Sequence, residues 1–241
     1  MPILRTCSVG AISLYRHGES EANSLLDTWY KTGNHKLFTS KVLSTNDSAW
    51  VLTSHGTGQA QSLGAWLAKW FPPVNYQYSS PYLRAVQTST IVHGGTKPLL
   101  VPELEEQNWG DLNTKTPEEL GDARAVYDAA SKLSADARPP GGESFREVYE
   151  RVAPFAALLI NSFAADPSQH IAVSSHYAVR RTLMFHLRGW PLERISEARG
   201  IAWKSNNCQI AVFTGDHSGK LNRMINPSPA VLEDISSIVW F

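Results

Sequence analysis

The apolar positions of the chain follow two alternating rhythms. Gly10, Ala11, Ile12, Leu14 and Tyr15 form an apolar segment, residues 74–79 alternate, and residues 170–175 follow as another short run; each reads as a strand. A shorter strand is expected at 97–101. Between these runs the spacing turns helical. Ala22, Leu25, Leu26 and Trp29 mark a helix over 19–30, and Ala60, Leu63, Leu67 and Trp70 mark another that Thr53 opens and Phe71-Pro72-Pro73 stops. A third helix is expected over 82–93. Thr116-Pro117-Glu118-Glu119 is a helix start, with a capping residue, a proline in the first turn and acids beside the positive helix end.

The clearest amphipathic stretch is 144–165, where Phe145, Val148, Val152, Phe155, Leu159 and Phe163 share a face. Pro154 inside it removes a hydrogen bond and predicts a bend one turn earlier. A helix over 177–187 follows the strand at 170–175. Residues 208–214 and 220–225, joined by Gly215-Asp216-His217-Ser218-Gly219, read as a hairpin. Residues 31–51, 103–113 and 134–142 read as irregular. Strand alternating with helix predicts an α/β three-layer sandwich: a mostly parallel central sheet with helices on both faces. The polar stretch 31–51 is long for a loop within a compact domain, and reads as a lid or as a plain insertion.

Composition narrows the choices. The chain has 241 residues, read as a single domain over 1–241, with 42% hydrophobic and 18% charged residues, which suits a folded core and argues against disorder. Twenty-two Lys and Arg balance 22 Asp and Glu. That balance gives no reason to expect a nucleic-acid or membrane-surface partner, so any anion site must be a local concentration of Arg and His. The two cysteines, Cys7 and Cys208, predict reduced thiols, and neither a signal peptide nor a membrane span is visible. A soluble, cytoplasmic protein is expected; the oligomeric state is left open.

The candidate chemistry sits at predicted strand ends. The first strand runs into Arg16-His17-Gly18, the second leads through Ser80-Pro81 to Arg84, and the strand at 170–175 ends at His176, with Tyr177 and Arg180 beyond. In an open α/β sheet, ligands bind outside the carboxyl ends of the strands. Each residue alone reads equally well as a hydrated side chain or a surface ion pair; together they predict an anion site. Gly18 leaves room for close approach of a ligand. No His, Cys or Asp cluster has metal-ligand spacing, so neither metal nor cofactor is expected.

These segments carry a resemblance. Leu14-Tyr15-Arg16-His17-Gly18-Glu19-Ser20 with Asn23 resembles the opening motif of the histidine phosphatase superfamily, the phosphoglycerate-mutase-like proteins. The segments 52–60, 79–88 (with Arg84), 103–110, Gly141-Gly142-Glu143-Ser144 and Val173-Ser174-Ser175-His176 are similar to that family's later blocks, in family order. The resemblance implies His17 as the nucleophile of a phosphohistidine intermediate. It implies that Arg16, Arg84 and His176 bind the phosphoryl oxygens, with Asn23 and Ser20 contacting the phosphate. Glu106 would be the proton donor, with Glu105 its rival in register. The physics agrees: phosphoryl transfer rests on positioning and on charge stabilisation, arginine pairs with two oxygens at once, and neighbouring guanidiniums favour a neutral imidazole.

The expected activity is that of a metal-independent phosphomonoesterase acting on a small phosphorylated substrate. Two departures bear on it. Where phosphoglycerate mutases place Arg-His-Tyr-Gly and further basic residues, this chain has Gln107-Asn108-Trp109-Gly110, with only Lys115 close behind. The glycine usual after the last histidine is Tyr177, which sets an aromatic ring beside the phosphate site. A phosphoglycerate-type mutase is the alternative enzyme, and a non-catalytic phospholigand or protein-binding module on the same fold is the alternative of another class. The substrate's identity is not legible.

Overall fold

The computed structural model describes residues 10–194, 206–215 and 220–225. Six strands form one sheet: β1 (Ala11–Arg16), β2 (Tyr76–Ser79), β3 (Leu99–Leu100), β4 (His170–Ser175), β5 (Ile210–Gly215) and β6 (Leu221–Ile225), in the order β3-β2-β4-β1-β5-β6. The pairs β1–β4, β2–β4 and β2–β3 are parallel, and β1–β5 and β5–β6 are antiparallel. The mostly parallel sheet and its hairpin edge agree with the sequence pattern, although β3 is shorter than the strand expected at 97–101. Cys7 and the N-terminal stretch read for a signal peptide lie outside the described residues, as does most of the turn at 215–219. Among the described residues, no helix is long and apolar enough to cross a membrane.

The longer helices are α1 (Glu21–Thr32), α3 (Ser54–Trp70), α4 (Leu83–Val92), α8 (Phe145–Ala165) and α9 (Tyr177–Arg188). Shorter ones are α2 (Ser40–Ser44), α5 (Asp111–Thr114), α6 (Pro117–Leu120) and α7 (Ala123–Ala130). Strand β1 shows why helices cover both faces. Ile12 and Leu14 pack with Val152, Leu159 and Phe163 of α8 and with Val179 and Leu183 of α9. Ala11 and Tyr15 point the other way, to Ala60, Leu63 and Leu67 of α3. A strand buried on both faces must be largely apolar, and residues 10–15 are, apart from Ser13, whose hydroxyl is hydrogen-bonded to His170. Leu159 and Phe163 have no accessible surface. Truncating either to alanine costs about 2–5 kcal/mol, a large share of the roughly 5–15 kcal/mol that holds a domain folded.

The expectations for the irregular regions need correction. Residues 31–51 are not featureless: α2 and two short 3-10 turns, His35–Leu37 and Asp47–Ala49, lie within them, each opened by a side chain (Asn34, Thr39 or Asn46) that accepts a backbone N–H. The helix begun at Thr116 has its expected capping box with Glu119 but stops after one turn, at Gly121 with φ 50°, and α7 follows as a separate element. Residues 103–113 hold the 3-10 turn Pro102–Leu104 and α5. Helix α8 spans the expected stretch with Pro154 inside it, on the exposed face with Glu150, whose carbonyl the proline leaves to be hydrated.

A buried polar network lies between β1, β2 and α4. The Tyr15 hydroxyl meets His93 Nε2 at 3.0 Å and Ser89 Oγ at 3.2 Å, and Gln77 donates to Ser89 and to the Thr96 carbonyl. His170 donates from Nδ1 to the Pro72 carbonyl (2.8 Å), so its Nε2 accepts from the Ser13 hydroxyl (2.8 Å). Burial pushes His93 down to about 4, helped by His170, and burial lowers His170 as well. Below the ordinary histidine value of about 6.5 the unfolded chain binds protons that the native state refuses. Stability should therefore fall as pH drops from about 6.5 toward 4. In thermal denaturation, the His93→Asn variant should show a shallower fall of Tm across that window than the parent chain; an identical slope would place the acid sensitivity elsewhere.

Candidate active site

Three adjacent strands end together. In register, Arg16 of β1 lies opposite Ser175 of β4, and Ser79 of β2 opposite Ser174, so His17, His176 and Ser80 emerge side by side. Backbone bonds hold the three ends: His17 N–H donates to the Ser175 carbonyl (3.0 Å) and Ser80 N–H to the Ser174 carbonyl (3.0 Å). The rings of His17 and His176 are 5.1 Å apart. Arg16, His17 and Arg84 line a cavity of about 560 Å³, together with Ser20, Asn23, Glu106 and Tyr177.

His17 is buried, and its Nδ1 lies 2.7 Å from the Gly18 carbonyl oxygen. A carbonyl only accepts, so Nδ1 carries the proton and Nε2 keeps its lone pair. Burial first, then the charges of Arg16 and Arg84, hold His17 well below the usual histidine value, which keeps the ring neutral. The site therefore presents a neutral, basic nitrogen among fixed positive charges. Such a nitrogen can attack an anion's central atom while the guanidiniums neutralise its oxygens.

Glu106 is buried in the cavity wall, where Oε1 accepts from Gln107 N–H (2.9 Å) and Oε2 from Tyr177 N–H (3.3 Å). Burial raises its pKa; the Gln107 bond, Arg84 and Arg16 pull it down, and Asp47 pushes it up. A carboxyl so placed holds its proton more tightly than an exposed one, as a proton donor requires. Glu105 is more exposed and does not line the cavity that His17 lines, so the geometry separates the two glutamates that the sequence left as rivals.

Several expected residues sit differently from the sequence reading. His176 is completely buried behind the cavity wall and does not line it: Nε2 meets Ser80 Oγ at 2.8 Å, and the Tyr82 ring lies 5.1 Å away. Its Nδ1 has no hydrogen-bond partner among the described residues. Ser20 and Asn23 line the cavity but are joined as the capping box of α1, and Asn23 Oδ1 also accepts from Asn207 (3.0 Å). Arg180 belongs to the core, where its Nε donates to the Leu14 carbonyl (3.4 Å). Gly18 serves a neighbour rather than a ligand: a Cβ there would strike the Gly56 carbonyl at the start of α3, and a Cβ on Gly56 would strike the Glu19 backbone.

Sequence reading missed Asp47. Both terminal nitrogens of Arg84 turn to it, NH1 donating to its backbone carbonyl and NH2 to Oδ2 at 3.2 Å. Its only signal was its place in the polar stretch 31–51. The apolar part of the cavity was also missed, because Phe38, Leu43 and Trp50 fall in a stretch with no helical or strand period. Among the described residues, no group of three or more His, Cys, Asp or Glu side chains is placed to hold a metal ion.

The family model of the histidine phosphatase superfamily, branch 1, matches residues 12–227. The chain belongs to this superfamily. It is 29% identical over 179 residues to a 2,3-bisphosphoglycerate-dependent phosphoglycerate mutase of Cytophaga hutchinsonii, covering 72% of this chain and 75% of that one. Among solved structures, a putative alpha-ribazole-5'-P phosphatase from Escherichia coli has 25% identity and a TM-score of 0.62, covering 87% of this chain and 92% of the other. A mycobacterial glucosyl-3-phosphoglycerate phosphatase has 20% identity and a TM-score of 0.65, covering 97% and 96%, a likeness of fold. Histidine phosphatases with both mutase and phosphatase names are thus similar to this chain.

The glycine contact gives a test of how tightly the site is held. Gly56→Ala should destabilise the protein by roughly 1–3 kcal/mol, as overpacking against backbone does. Gly58→Ala, two residues on in the same helix and facing open space, should be neutral or slightly stabilising. Thermal denaturation of both variants checks this, and equal Tm values would remove the contact from the argument.

Proposed function

We propose that this histidine phosphatase is a phosphomonoesterase that needs no metal and works through a phosphohistidine on His17. The observation that carries the reading is the neutral His17, its Nε2 lone pair free beside Arg16 and Arg84, in one cavity with buried Glu106. In the first step Nε2 forms a bond to phosphorus as the ester P–O bond breaks, and Glu106 gives its proton to the departing oxygen. In the second, water attacks phosphorus, its proton passes to the Glu106 carboxylate, and the N–P bond breaks. Arg16 and Arg84 bind the phosphoryl oxygens. His176 takes part by moving its unpartnered Nδ1 toward them, and Tyr177, Ser20 and Asn23 shape the rim.

The mutase reading draws on the curated relatives. It needs free cations to hold a substrate carboxylate while the phosphoenzyme waits. Of the two further cations lining the cavity, Lys115 is paired with Asp111 (2.9 Å), while Arg124 lies 4.0 Å from Asp128 and its buried Nε has no hydrogen-bond partner among the described residues. What favours the hydrolase is the run Gln107-Asn108-Trp109 where the mutases carry basic residues. The segment 31–51 serves as a lid whose Asp47 carboxylate occupies Arg84 until a phosphoryl group displaces it.

Two experiments test these roles. A positioned acid matters most for a poor leaving group, so Glu106→Gln should slow single-turnover transfer from an alkyl phosphate by roughly 10²–10⁴-fold and from p-nitrophenyl phosphate much less. Glu105→Gln should show no such dependence; if it does and Glu106→Gln does not, the register is wrong. For the lid, Asp47→Asn should tighten inorganic phosphate about two- to fivefold by calorimetry, since a partly exposed ion pair is worth at most about 1 kcal/mol. Weaker binding would mean that Asp47 holds Arg84 in place rather than competing for it.

A further inference from the structure

Part of the lining of the cavity is apolar. Helix α1 runs for 12 residues, yet none of its residues is buried, and its apolar positions Leu25 and Leu26 face the cavity. Phe38, Leu43 and Trp50 of the segment 31–51 line it too, as does Trp109; all six are only partly covered. The segment is not collapsed at random, because Trp29 of α1 grips Phe38 edge-on at 5.6 Å. Apolar side chains that leave a hollow between them, continuous with a polar floor, match a ligand with one apolar and one anionic end. The volume, about 560 Å³, lies within the roughly 300–1,000 Å³ of pockets that enclose drug-sized molecules, far more than a phosphate needs.

Charge sets the polar end. Lys115 is paired with Asp111 and Asp47 with Arg84, and Asn113 and Thr114 offer only neutral groups; Arg124, 4.0 Å from Asp128 and with its buried Nε lacking a hydrogen-bond partner among the described residues, is left to meet a further polar group.

Resting on the phosphatase reading, we infer that the substrate is the phosphate monoester of a bulky apolar alcohol, alkyl or ring-bearing. Leu25, Leu26, Phe38, Leu43, Trp50 and Trp109 are then specificity-determining residues that touch the leaving group and take no part in bond making.

Binding of n-alkylphosphonates, which cannot be hydrolysed, separates this inference from the phosphatase reading. By calorimetry on the intact protein, the Kd should fall roughly fourfold per added methylene from ethyl to hexyl, the usual effect of burying one CH₂. Trp50→Ala should flatten that slope, and Phe38→Ala serves in its place should the first variant not fold. 3-Phosphoglycerate should bind more weakly than hexylphosphonate. A Kd independent of chain length, or tighter binding of 3-phosphoglycerate, overturns the inference. Phosphate release from p-nitrophenyl phosphate is followed in parallel. Release without a chain-length slope sinks the apolar leaving group alone, whereas a slope without release sinks the hydrolase and leaves the apolar pocket standing.

Discussion

Everything at the site depends on holding the end of β1 rigid while its histidine stays uncharged. The His17 backbone is tied to β4 through the Ser175 carbonyl, and its own carbonyl accepts from Cys208 N–H (3.1 Å) and Asn207 (3.2 Å) before β5. Gly18 N–H donates to Thr88 Oγ in α4 (2.9 Å), and Gly18 lies against the backbone of Gly56 in α3. Four elements therefore fix one dipeptide. The same crowding removes water from the imidazole, and that burial is the largest reason its pKa is low. Rigidity and neutrality come from one cause. Cys208 shares the enclosure: its thiol is pushed up to about 12 by burial, which makes it inert so close to the site.

The formally neutral chain concentrates its positive charge here. Arg16 and Arg84 line the cavity, and Arg180 sits behind β1. Burial, with Arg16 and Arg181 nearby, pushes Arg180 down to about 9, so the core gives up electrostatic comfort to keep a cation near the sheet edge. Such a cluster is unfavourable without an anion. Asp47 meets this need from the segment 31–51, and its contact with Arg84 explains why a loop with no large core of its own lies against the domain.

The sheet was legible because the central strands carry short apolar stretches (Ala11, Ile12, Leu14 and Tyr15; Ile171, Ala172 and Val173) between helical patterns, and α8 carries its apolar stripe across 21 residues. The cations and the imidazoles were legible for a topological reason, since they follow strands that turn out to be neighbours. The rest required tertiary context. The turns at 34–50 are too short for periodicity, and caps such as Thr39 and Asn46 also occur in plain loops. The partner of Gly18 is a glycine 38 positions away, and no local pattern announces a backbone-to-backbone contact. Ser20 was expected at the phosphate through the family resemblance alone, and that it also caps α1 while lining the cavity follows from its place at a helix start. His176 was correctly set at the β4 end, but strand register says nothing about which side of the wall a ring occupies.

The superfamily's two chemistries share a first step and part at the second, so what separates them is control of water and of the released molecule. A mutase must keep its product close and water out, which calls for ionic anchors on the leaving group. A hydrolase must let the alcohol go before water enters. On the proposed reading, an apolar leaving group suits that order: it is held by burial rather than by directed bonds, so it can depart when the covering segment lifts. Asp47 then has a second effect. With the segment in place, Asp47 raises the proton affinity of Glu106, which favours the protonated form that the departing oxygen needs. When the segment lifts to release the alcohol, that influence is withdrawn, and Glu106 ionises more readily and can take a proton from water.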